Sequence, residues 1–200
     1  MPCIILVLLA LVAPWRAVAS NTALSGAEGH PRARFPLTVW WQPAADARLE
    51  AAMRRAVDDW NALSREALGV EAFADGAREV AQVRVRLEPA TTGGLMGATE
   101  VQTSDAGVIE PPVSVTLAEP TARGQTSRET LLYQVFAHEL GHALGLPHVR
   151  DPRSLMCCEH GAVDLGDPAV RDAYVQARRQ PDLRSVRAQL VEHYARFWRR

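Results

Sequence analysis

His138-Glu139-Leu140-Gly141-His142-Ala143-Leu144-Gly145-Leu146-Pro147-His148 is the stretch from which the rest of the sequence is best read. Its first part continues a helical pattern that opens at Ser127, a residue suited to capping a helix N-terminus, and Gly145 supplies the stop. Two histidines four apart lie on one helix face, about 6 Å apart along the axis, so both imidazoles can reach one metal ion. Gly145 permits a backbone with φ above zero, which ends the helix and turns the chain back. His148 can then supply a third ligand, leaving one tetrahedral position open for water, and Glu139 stands beside that position as a base. In a chain of this composition a chance His-Glu-x-x-His has a probability of about one in a hundred. The added glycine and third histidine reduce that to a few in a hundred thousand.

Outward from this stretch the pattern is that of one domain. Two hundred residues with 48% hydrophobic and 22% charged side chains match an ordinary globular chain. A net charge of -1 argues against a nucleic-acid partner. All 22 basic residues are Arg, an accent of a GC-rich genome that points to a bacterial source. Upstream, Phe35 to Trp41 reads as a first strand. Leu49, Met53, Ala56, Val57, Trp60 and Leu63 recur at helical spacing between Ala44 and Leu63. Val80 to Leu87 alternates as a half-buried strand, and Leu95–Val101 and Pro112–Leu117 are further strands around a turn at Asp105-Ala106-Gly107. Downstream, Asp167-Pro168 opens a helix, Pro181 breaks it, and Leu183, Val186, Leu190 and Tyr194 line one face of a last helix. Strands around a helix, then helices, give an α+β class.

At the N-terminus, Cys3 to Ala13 is an apolar run of signal-peptide length, too short to span a bilayer, followed by the small-x-small Ala17-Val18-Ala19. Residues 1–19 are therefore expected to be a signal peptide. Residues 20–34, rich in Gly, Ala and Ser, are expected to be a flexible lead-in with His30 solvated. Export would leave only the adjacent Cys157 and Cys158, expected as free thiols or a vicinal disulfide, with an intermolecular bridge as the main rival.

His138 to His148 resembles the metzincin zinc motif HExxHxxGxxH, and Asp151 to Met156 is similar to the stretch leading into the metzincin Met-turn. The similarity is closest to the matrixin, or matrix-metalloproteinase-like, branch. The resemblance implies a metzincin-like zincin catalytic domain over residues 35–166, with a twisted mixed sheet and an active-site helix, and a C-terminal helical extension over 167–200. It implies one catalytic Zn²⁺ on His138, His142 and His148, Glu139 as general base to a zinc-activated water, and Met156 as a floor beneath the metal. It also implies an edge strand (Gly94, Leu95, Met96, Gly97, Ala98) that pairs with extended substrate. The expected activity is that of a secreted zinc metalloendopeptidase, extracellular or periplasmic. Its partner is a peptide or protein substrate, with no integral membrane segment after signal cleavage, and a monomer is expected. Calcium is common in the family, but no Asp-rich loop here indicates it. A zinc-stabilised binding module would need the histidines but not Glu139. Cys158 stands where astacin- and serralysin-type relatives carry a tyrosine, so no tyrosine ligand is expected. If export occurs as read, N-terminal sequencing of protein from the periplasm or medium should begin at Ser20; an intact Met1 on membrane-bound material would replace export with anchoring.

Overall fold

The β-rich segments alternate apolar and polar residues, and each buries its apolar set on one side. A computed structural model describes residues 24–89, 96–121, 126–158 and 163–199. The strands are β1 (Leu37–Trp41), β2 (Phe73–Asp75), β3 (Val83–Glu88), β4 (Gly97–Thr103) and β5 (Ile109–Ala118). They form a mixed five-stranded sheet in the order β2-β1-β3-β5-β4. All pairs are parallel except β4–β5, which is antiparallel and leaves β4 at the edge. Leu37, Val39, Val83, Val85, Val113, Val115 and Leu117 are buried on one face, while Trp40, Arg84, Arg86 and Thr116 alternate with them. The α+β expectation holds. The short β2 carried no sequence signal, being three residues long with a single apolar residue fully buried (Phe73).

Two long helices complete the core. α1 (Ala47–Leu68) is capped by Asp46, whose side chain accepts from the Arg48 amide, and ends at Gly69 with φ 70°. Its Leu49, Met53, Ala56, Val57, Trp60 and Leu63 are all buried, as their spacing predicts. α2 (Arg128–Ala143) starts at Ser127, whose hydroxyl accepts from the Thr130 amide, and carries the histidine motif. α1 fixes α2 directly through Trp60, whose indole N–H donates to the Ala137 carbonyl at 2.9 Å. Gly141 makes the close approach possible from below. A Cβ there would run into the Met156 sulfur and come within 3.3 Å of the Trp60 ring.

The two ends of the described chain meet at the C-terminus of α2. After α3 (Pro168–Arg179), which buries no residue, a 3-10 turn (Leu183–Val186) leads into α4 (Arg187–Phe197). Leu183, Val186, Leu190 and Tyr194 are buried in the same core as the sheet and α2. Each contributes about 1.5–3 kcal/mol of transfer free energy, an upper figure. The Tyr194 hydroxyl donates to the Leu144 carbonyl at 2.9 Å.

Residues 24–34 depart from the flexible lead-in expected of them and are packed into the domain. Gly29 bridges to Val108, Trp198 donates its indole N–H to the His30 carbonyl at 3.0 Å, and Phe35, Tyr194 and Trp198 pack ring against ring. His30, expected in solvent, is 1% exposed, and its Nε2–H donates to the Ala143 carbonyl at 2.9 Å. Its burial was hidden because the carbonyl it bonds, that of Ala143, lies 113 positions away in sequence. Among the described residues no helix is long and apolar enough to cross a membrane.

Burial, reinforced by the nearby Arg34 and His193 and opposed by the bond to Ala143, lowers the His30 pKa from 6.5 to about 4. Between about pH 4 and 6.5 the native state therefore keeps His30 neutral while the unfolded chain protonates it. Its share of stability is complete above pH 6.5 and is lost as pH falls towards 4, by up to about 3 kcal/mol. Urea unfolding should show a smaller loss between pH 7 and pH 4.5 for His30→Gln, which keeps a donor to Ala143 but does not titrate. An equal loss in the two proteins would remove His30 as a source of the acid sensitivity.

Candidate metal centre

α2 ends in a turn that follows directly from Gly145. With φ 87° there, the Leu146 amide donates to the Gly141 carbonyl at 3.0 Å and the Gly145 amide to the His142 carbonyl at 2.8 Å, the paired bonds of a Schellman cap. The reversed chain brings His148 back across the helix. Nε2 of His148 lies 3.1 Å from Nε2 of His138 and 3.2 Å from that of His142.

The second nitrogens decide what those facing atoms are. Nδ1–H of His138 donates to the Leu155 carbonyl at 2.7 Å, and Nδ1–H of His142 donates to the Leu146 carbonyl at 2.8 Å. Each bond places the ring proton on Nδ1 and leaves Nε2 with a bare lone pair pointing at the common centre. Burial lowers the His138 pKa to about 3, helped by His142, and lowers the His142 pKa to about 4, so both rings are neutral near pH 7. Converging lone pairs repel unless a cation lies between them. Ligands at about 2.0–2.1 Å around a tetrahedral Zn²⁺ stand about 3.4 Å from one another, close to the separations here. The donor set fits zinc, and all three nitrogens lie within 4.8 Å of one another.

Glu139 lies beside this cluster and is only 5% exposed. Burial pushes its carboxyl up to about 7, against the opposing pull of the Thr99 hydroxyl. That hydroxyl donates to Oε2 at 2.7 Å. Sequence reading did not single out Thr99; the strand alternation that aligns it with Gly97 was the available signal, but not which helix that face would meet.

Met156 is fully buried against Gly141. Its loop is held by the Leu155 amide to Ser185 Oγ at 2.9 Å and by Arg178 on α3, which donates to the Cys157 carbonyl at 2.7 Å. The side chains of Cys157 and Cys158 lie against each other at the end of this loop. Of the expected edge-strand residues, Gly94 and Leu95 lie outside the described residues. Met96 accepts from the Ala118 amide at 2.9 Å, and Gly97 and Ala98 begin β4 opposite Leu117 and Thr116.

This fold and site define a zincin-like peptidase scaffold, and comparison with known proteins specifies the family. A matrixin family model matches residues 41–164. The chain is also 53% identical over 36 residues to macrophage metalloelastase of Oryctolagus cuniculus; that stretch is 18% of this chain and 8% of the relative. The chain therefore belongs to the matrixin family of peptidases.

Purified protein should bind about one Zn²⁺ per chain, and His138→Ala or His142→Ala should lose most of it, with a lower melting temperature because bound metal stabilises the native state. Zinc content measured by atomic absorption checks this; both variants retaining the parent's zinc would exclude the histidines as its ligands.

Proposed function

We propose that this chain is a secreted zinc metalloendopeptidase, with His138, His142 and His148 as the metal ligands and Glu139 as the general base. The convergence of three Nε2 atoms beside a buried carboxyl on the same helix carries the reading. Matrixin membership supports the reaction class. Export is supported by the apolar run from Cys3 to Ala13 followed by Ala17-Val18-Ala19.

When bound, zinc supplies Lewis acidity, polarising the scissile carbonyl and lowering the pKa of water. The protein's own groups do the rest. Extended substrate lies along β4, where the sheet ends and backbone groups can pair with an added strand. Glu139 takes a proton from the attacking water and later delivers it to the leaving amine. The buried Glu139 carboxyl, beside the proposed ligand His138 and bonded by the Thr99 hydroxyl, is held in place for both tasks. The carbonyls of Leu155 and Leu146 hold two ligand rings in orientation, so little reorganisation is needed during turnover. Met156 fills the space under α2 at Gly141 as an apolar floor.

Glu139→Gln keeps the shape of the side chain but cannot accept the proton. Peptide hydrolysis should fall by ~10²–10⁴, the usual contribution of acid–base catalysis, while zinc content stays at the parental level. A Glu139→Gln variant that binds zinc and cleaves peptide at the parental rate would overturn the mechanism.

A further inference from the structure

Glu139 is aimed by the sheet edge rather than by its own helix. Residues two apart on a strand share a face, and Gly97 and Thr99 of β4 both meet Glu139. The Thr99 hydroxyl lies 2.7 Å from Oε2 and 3.1 Å from the Glu139 carbonyl oxygen. It has one proton to donate, and the shorter contact to the carboxylate takes it. Oε1 lies against Gly97, where an added Cβ would stand 2.6 Å from Oε1 and 2.7 Å from Val135 Cγ1. One carboxylate oxygen is therefore held by a donor, and the other occupies space that any side chain at position 97 would invade. Register with β5 fixes both contacts, Gly97 opposite Leu117 and Thr99 opposite Val115, two residues with no exposed surface.

We propose that Thr99 is a positioning residue for Glu139: its hydroxyl fixes the carboxylate through Oε2 and leaves Oε1, over Gly97, to receive the proton of the attacking water. This presumes Glu139 as the base. A glutamate side chain rotates about several bonds, and buried beside apolar Val135 it has one side-chain donor among the described residues to choose its rotamer. The consequence is that the strand proposed to receive substrate is also the strand that orients the base, so a shift of β4 is felt at Glu139 directly.

The test uses the zinc-loaded full chain and a peptide substrate, with Thr99→Val, Thr99→Ser, Gly97→Ala and Glu139→Gln. Val keeps the branched shape suited to a strand but removes the donor. Thr99→Val should lower kcat roughly 10- to 100-fold, the scale of a hydrogen bond to a charged group, with KM and zinc content unchanged. Thr99→Ser, which restores a hydroxyl, should recover most of the rate, and Gly97→Ala should lower kcat from the opposite side by displacing Oε1. A parental kcat for Thr99→Val beside an inactive Glu139→Gln overturns the positioning role and leaves the base intact. An active Glu139→Gln overturns the base itself, whatever Thr99 does. Loss of zinc or early melting of Thr99→Val, or failure of Ser to rescue, makes Thr99 structural and likewise overturns the proposal.

Discussion

The turn that closes α2 is the constraint on which the site depends. Gly145 adopts φ 87°, which an L side chain enters only with strain, and a Cβ there would press on the Glu28 carbonyl. That single conformation has three consequences. It satisfies the Gly141 and His142 carbonyls by the Schellman bonds, it presents the Leu146 carbonyl to His142 Nδ1, and it returns the chain so that His148 meets the other two rings. The carbonyls of Ala143 and Leu144 are bonded by His30 and Tyr194, so both ends of the described chain help complete this helix terminus. A metal site needs ligand atoms held to fractions of an ångström, and a helix end satisfied from all sides gives that rigidity.

Burial sets the electrostatics of the centre. Taking His138 and His142 out of water favours their neutral forms, the state in which an imidazole can ligate a metal. The same desolvation raises the Glu139 carboxyl, and the Thr99 hydroxyl partly offsets it. One dry environment thus keeps the two imidazoles neutral and raises the carboxyl, with opposite signs because an imidazole gains charge on protonation and a carboxylate loses it. Second partners on backbone carbonyls then select which imidazole nitrogen faces the centre.

The helices after the site have different parts to play. α4 is core, sealed by Tyr194 and the aromatic packing with Phe35 and Trp198. α3 buries none of its residues, yet its Arg178 reaches the Ser154 and Cys157 carbonyls on either side of Met156. A helix that contributes little apolar burial still steadies the loop beneath the three-histidine cluster through hydrogen bonds from one guanidinium.

What the sequence determined by itself was local. The four-residue spacing of His138 and His142, the glycine that must end their helix, the capping Ser127 and the period of α1 all express geometry within a few turns of chain, and each stands in the structure close to where its pattern put it. The edge strand was legible as a strand, with its first residues, Gly94 and Leu95, outside the described segments. What only the tertiary structure decided was which distant groups would meet. His30 reads as a polar residue in a Gly-rich stretch until 113 positions of separation are closed onto Ala143. Thr99 reads as one polar position in a strand until 40 positions are closed onto Glu139. Burial, and with it the pKa of His30 and Glu139, is a property of those long-range contacts. Side-chain periodicity states which face a residue occupies, but the packing of the sheet edge and chain ends on α2 determines what that face will touch.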